Sequence, residues 1–170
     1  MWNYTGQQRP DFAEEPGPYQ ESVWDYPRPP ALVSCDERVE VRSGDNRIAG
    51  SNRTLRVLET ASPPTYYIPA QDVNWNVLRE ISQHSFCEWK GQASYYCLDD
   101  DPAGTAVAWI YANPSSRFAA IDRHVSFYPA QVECFVNDER VTPQPGGFYG
   151  GWMTSRIAGP VKGKPGTGHW

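Results

Sequence analysis

The chain lacks a basic stretch, a long apolar run and any paired metal-ligand motif, and each absence removes a class of function. Acidic residues outnumber basic ones, 20 to 15, for a formal net charge of −5. A nucleic-acid binder needs a basic footprint to displace counterions from phosphates, so no nucleic-acid partner is expected. No segment approaches the roughly 18 consecutive apolar residues of a membrane span. The opening residues, Met1 to Phe12, lack the charged start and apolar stretch of a secretory signal, which implies a cytoplasmic location. In that compartment Cys35, Cys87, Cys97 and Cys134 read as reduced thiols, not as disulfide pairs. With neither a C-x-x-C nor an H-x-x-x-H pair, structural zinc is not expected, and no cofactor is implied.

What is present points to short strands. Aromatic residues make up 14% of the 170 residues, with seven Trp and ten Tyr, alongside 16 Pro and 14 Gly. Aromatic side chains favour sheets, and Pro and Gly favour the turns between strands. The length suits one structural domain. Composition divides it into an irregular arm at residues 1–36, a core at 37–140 and a Gly/Pro-rich arm at 141–170. Residues 1–34 carry a net charge of −3 and residues 141–170 one of +3, so the arms can attract each other. Both contain aromatics, which disordered tails lack, so both are expected to pack, Trp24 and Trp152 in particular.

The expected fold is mainly β: a compact twisted antiparallel sheet or half-barrel with one short helix and two irregular packed arms. Strands are expected at Val39–Val41, Arg47–Ser51, Thr54–Thr60, Thr65–Pro69, Gln92–Leu98, Thr105–Ala112, Val125–Tyr128 and Val132–Val136. Residues 99–104 form a hairpin loop between two of them. The helix is placed at residues 72–82, where Asp72 can cap and Val73, Val77 and Ile81 recur at i, i+4, i+8.

Chemistry-bearing residues concentrate at His84–Tyr96. A thiol at Cys87 three residues before Lys90 can be activated by the nearby ammonium, and Gly91 lets the chain turn sharply. A buried cysteine beside a surface lysine is the commoner meaning of that spacing. His84 reads as a loop residue, and His124 and His169 stand alone. Glu59 shares a strand face with Leu55 and Val57, so its carboxylate needs a partner there, and Lys90 is the expected one. Trp109 and Tyr111 share a face with Val107, where aromatics either line a pocket or fill a core. Asp99–Asp101 reads as a solvated turn. Gly159–Lys164 fails as a phosphate loop, because Pro165 stands where Ser or Thr should bind magnesium.

The runs Val57-Leu58-Glu59-Thr60, Pro63 to Pro69, Cys87-x-Trp89-Lys90-Gly91-x-Ala93-x-Tyr95, Ala108-Trp109-x-Tyr111 with Pro114, and Phe127-Tyr128-Pro129 resemble the DUF427 family over about residues 37–140. Glu21 to Pro30, Gly147 to Trp152 and Gly159 to Thr167 resemble the arms of its longer subgroup. Many members have Pro-Tyr where this chain has Glu88-Trp89. The resemblance implies a compact β-fold similar to small twisted-sheet domains that include zinc-binding folding chaperones, whose cysteine pairs this chain lacks. The family is also labelled a nucleotidyltransferase family, but the acidic metal ligands and phosphate loop of that reaction are missing here. The resemblance further implies that Glu59, Tyr67, Cys87, Lys90, Trp109 and Tyr111 form one site, next to Tyr95 of the same run. Three functions follow as expectations. The leading one is a module binding an unidentified small molecule in an aromatic-lined pocket, with Tyr67, Tyr95, Trp109 and Tyr111 as wall and Glu59 and Lys90 as polar groups. The second is an enzyme with Cys87 as nucleophile. The third is a structural or interaction protein, whose arms complete the fold or join two copies as a homodimer.

Overall fold

The segment Thr54–Leu58 alternates its side chains about the strand axis and pairs on both edges, with Ala31–Cys35 and with Thr65–Pro69. Period-two patterning of this kind dominates the chain. The computed structural model describes residues 2–170, which contain β1 (Glu21–Ser22), β2 (Ala31–Cys35), β3 (Val39–Ser43), β4 (Asn46–Ser51), β5 (Thr54–Leu58), β6 (Thr65–Pro69), β7 (Leu78–Cys87), β8 (Gly91–Leu98), β9 (Ala108–Ile110), β10 (His124–Phe127), β11 (Glu133–Val136), β12 (Glu139–Arg140), β13 (Thr142–Pro143), β14 (Trp152–Met153) and β15 (Ile157–Ala158). A seven-stranded antiparallel sheet runs β2-β5-β6-β10-β9-β8-β7, and a four-stranded one runs β12-β11-β3-β4. The fold is therefore mainly β and does not close into a barrel. No helix among the described residues is long and apolar enough to cross a membrane.

The expected helix at residues 72–82 does not form. Asn74 caps a single 3-10 turn at Trp75–Val77, and β7 starts at Leu78 and pairs with β8 on either side of a register shift between Ile81 and His84. The three residues that suggested a helix face fall in different structures: Val73 forms an isolated bridge with Ala49, Val77 ends the 3-10 turn, and only Ile81 enters β7. The β-branched Val73, Val77 and Ile81 favour the extended form. Asp72 caps no α-helix; its carboxylate accepts from Ser51 Oγ at 2.6 Å and from Arg53. A second difference lies at Ala31–Cys35, within the stretch that its prolines mark as irregular, which forms the edge strand β2 of the large sheet.

The large sheet buries both faces. Tyr66, Ile68, Ala108, Val125 and Phe127 pack against Val39, Val41, Ile48, Cys134 and Val136 of the smaller sheet. The opposite face carries Val57, Tyr67, Ala93, Tyr95, Trp109 and Tyr111, covered in part by Phe118 and Ile121 from the segment after β9.

Both arms pack. Val23, Trp24 and Tyr26 form a third apolar cluster with Leu58, Ile157 and Val161, and Trp24 and Trp152 are fully buried. The arms meet through backbone more than through charge: β1 pairs with β15 in parallel, and Glu14 N donates to the Gly159 carbonyl at 2.9 Å. Arg156 pairs instead with Glu37 at 3.0 Å. Asp101 anchors the loop after β8, its carboxylate accepting from the N–H groups of Ala103 and Thr105 and held below the usual range by those bonds.

Candidate functional site

The aromatic face arises from strand alternation. On β10, Val125 and Phe127 point into the core between the sheets, so Ser126 faces the other way, directly opposite Trp109 in the β9–β10 register. Tyr95 of β8 also lies opposite Trp109. Trp109 Nε1 donates to the Tyr67 hydroxyl at 3.3 Å, and the Tyr95 hydroxyl lies 2.7 Å from Ser85 Oγ. The Tyr67 ring centroid is 6.3 Å from that of Trp109 and 6.4 Å from that of Tyr111, and the Tyr128 ring lies 4.5 Å from that of Trp109, tilted by 43°. Burial pushes the Tyr67, Tyr111 and Tyr128 phenols up, so they act as neutral hydrogen-bonding groups.

Cys87 and Lys90 come to this face through the β7–β8 turn. Gly91 lies opposite Cys87 and adopts φ = +106°, which a residue with a Cβ rarely tolerates. Ser115 clamps the turn, its N–H donating to the Lys90 carbonyl and its hydroxyl to that of Trp89. The Lys90 ammonium then stands 5.7 Å from the Tyr111 ring centroid and 5.8 Å from that of Phe118, within cation–π range. Cys87 packs at the margin of the same aromatic cluster.

Six of the seven expected site residues thus share one region: Tyr67, Cys87, Lys90, Tyr95, Trp109 and Tyr111. Glu59 does not pair with Lys90. It accepts from Arg28 Nε at 3.1 Å. Arg28 is reached from the N-terminal arm, and a local reading of β5 cannot see it. The aromatics are also more tightly packed than an open pocket wall: Tyr67 is 1% exposed and Tyr95, Trp109 and Tyr111 are 7–8%. Two cavities, of about 160 and 410 Å³, are lined by other residues, around Ile48 and Leu98 and around Pro143 and Met153.

A family model described as a domain of unknown function (DUF427) matches residues 31–138, which span every strand from β2 to β11. The chain belongs to the DUF427 family. No curated protein matches it. The DUF427 match contains all seven expected site residues but neither Trp152 nor Lys162, so the residues next described are partly additions of the arms.

Arg28 holds Glu59, and Trp2, Lys162 and Tyr149 extend the cluster from Arg28; none of the four was expected there. The Arg28 guanidinium lies 4.1 Å from the Trp2 ring centroid, and the Lys162 ammonium is 4.6 Å from the same centroid and 5.0 Å from that of Tyr149. Gly150 lays the arm on the aromatic face, because any side chain there would run into the Trp109 indole. The sequence signal for this cluster was the aromatic content of the arms.

Lysine is rare here: of the fifteen Lys and Arg residues only Lys90, Lys162 and Lys164 are lysines. Lys90 and Lys162 are 9% and 4% exposed, whereas Lys164 is exposed. Neither buried lysine has a carboxylate within salt-bridge distance among the described residues. Among the described residues, only Trp24 Nε1, Thr54 Oγ1 and Ser126 Oγ are sealed side-chain atoms without a partner. The two ammonium groups therefore keep contact with solvent while their stems are covered, as amphipathic side chains do.

The cysteines differ in access. Cys97 and Cys134 are fully buried, and Cys35 and Cys87 are half-buried. Burial also pushes the Cys134 thiol up. In the reduced, folded protein iodoacetamide should label Cys35 and Cys87 and leave Cys97 and Cys134 untouched until denaturant is added. Peptide mass mapping checks the order; early labelling at Cys97 would contradict the packing of β8.

Proposed function

We propose that the chain is a small-molecule binding module whose ligand presents an anionic group to Lys90 and lies against the turn at Cys87–Gly91 and the margin of the aromatic face. The observation that carries this reading is Lys90 itself: a lysine with a covered stem, a solvent-facing ammonium and no carboxylate partner, held by two rings and a clamped turn. An ammonium in reach of solvent and without a carboxylate of its own is free to form a charge-assisted hydrogen bond to an anionic ligand. Tyr67, Tyr95, Trp109 and Tyr111 act as the rigid support behind the turn, and Cys87 is a contact residue. Glu59 belongs to the neighbouring arm cluster.

Native mass spectrometry of the protein purified without denaturation should reveal a bound small molecule. Titration of the Lys90→Gln variant with that molecule should show affinity reduced by about tenfold or more, as expected for loss of a charge-assisted contact of about 1.5–3 kcal/mol. Equal affinity of the variant and the parent, at equal melting temperature, would refute the assignment to Lys90. If no molecule co-purifies, carboxylate- and phosphate-bearing aromatic compounds serve as probes, and failure of all of them to bind would refute the module itself.

A further inference from the structure

The large sheet ends on one side in β7, whose outer edge pairs with no strand among the described residues. β7 is ten residues long. The other edge strands of the two main sheets are shorter: β2 has five residues, β12 has two, and β4, with six, is bridged in part by Val73 at Ala49. An open edge presents a row of unpaired N–H and C=O groups, and native chains guard it with short strands, proline, lysine or a bulge. β7 has only the last, a register shift between Ile81 and His84 that leaves Ser82 and Gln83 without partners on β8. Glu80, His84 and Phe86 lie opposite Tyr96, Ser94 and Gln92, alternate residues of β8, so the three share one face. All three are exposed, and Phe86 is 79% exposed. Among the described residues it is the one exposed large apolar side chain that lies in a strand.

We propose that β7 is a self-complementary interface that joins two copies of this chain, edge to edge, in an antiparallel two-fold dimer. A dyad perpendicular to the sheet keeps the same face up in both copies, so residues that meet have the same parity. With the dyad on Ser82, residues 78–86 of the two strands overlap. Glu80 then lies opposite His84 of the second copy, whose imidazole N–H donates to the carboxylate. Leu78 lies opposite Phe86 of the second copy and gives the exposed ring an apolar neighbour. Arg79 meets Ser85, and no like charges face each other. Every pair occurs twice, because the contact is isologous. A dyad on Gln83 instead sets Phe86 against Glu80, and one on Ile81 leaves Phe86 outside the overlap; both separate Glu80 from His84. The register shift, which would disturb pairing with a regular strand, falls on the dyad. The irregular middle of one strand therefore meets that of the other, and residues 78–80 pair with residues 84–86. The interface does not include Lys90, so its failure leaves the proposed anion site standing.

Sedimentation equilibrium of the full-length protein should show a concentration-dependent dimer with twice the 19.2 kDa of one chain. Glu80→Lys sets a lysine against His84, and His84→Glu sets two carboxylates together. Each substitution acts at both ends of the interface, so each should weaken the dimer by about tenfold or more. The double variant Glu80→Lys/His84→Glu restores opposite charges in the same register and should recover most of the parent's affinity. Both side chains are exposed, so the melting temperature of dilute, monomeric protein should stay the same in all three variants. A parent that is monomeric at its highest soluble concentration overturns the proposal, whether the edge stays empty or takes a strand from another protein. A dimer that both single variants leave intact places the contact elsewhere and overturns it too. So does a double variant that dimerises no better than the singles, since the register is then wrong.

Discussion

Replacing Arg28 with alanine should destabilise the fold by about 3–5 kcal/mol, the range for breaking a buried ion pair from one side. The Arg28 side chain is 1% exposed. It donates to Glu59 at 3.1 Å, to the backbone oxygens of Tyr4 and Trp170 at 3.0 and 3.1 Å, and to that of Thr60 at 2.8 Å. One planar group therefore ties the N-terminal arm, the end of β5 and the C-terminal arm together. Alanine leaves the buried oxygen of Thr60 without its partner and Glu59 without its cation. Lysine should rescue little, since a point charge on a flexible stem cannot reach four acceptors spread around a planar fork. Urea denaturation measures all three proteins. A loss under about 1 kcal/mol, typical of exposed ion pairs, would mean that the arms are not held by this contact.

Trp152→Ala should have a comparable effect, about 3–5 kcal/mol. Trp152 is fully buried in the core between the sheets, stacks on Tyr66 with ring centroids 4.8 Å apart, and donates from Nε1 to the Phe127 carbonyl at 3.0 Å. Its removal opens a cavity and strands that carbonyl. Phe148→Ala, four residues earlier in the same arm, is the matched control: Phe148 is 79% exposed, and its loss should stay within about 0.5 kcal/mol. Similar values for the two variants would show that the C-terminal arm does not insert as described.

Function is less legible than stability for a physical reason. The Cys87–Gly91 turn and the alternating aromatics are close in sequence, so their common location could be read from spacing. The partner of Glu59 could not, because Arg28 reaches it from 31 residues away and reaches Trp170 from 142 residues away. Lys162 looked like part of a failed phosphate loop, and its surroundings form only when Trp2, Arg28 and Tyr149 close around it. Trp109 and Tyr111 looked like either pocket wall or core; their burial is set by what covers them, Phe118 and the Gly150 segment, which no strand pattern encodes.

By itself the sequence determined that the chain is built of short strands, where most of its hairpins turn, and that both arms contain enough aromatic surface to pack. These follow from alternation, turn residues and composition, which act locally. Tertiary structure alone decided that Leu78–Cys87 is a strand, because β8 offered it a ladder of paired residues from Leu78 to Cys87, interrupted only between Ile81 and His84. It also decided which carboxylate meets which cation, and which lysines have their stems covered. Those outcomes depend on charges and rings brought together from distant parts of the chain, and burial, unlike strand alternation, is a property of the assembled molecule.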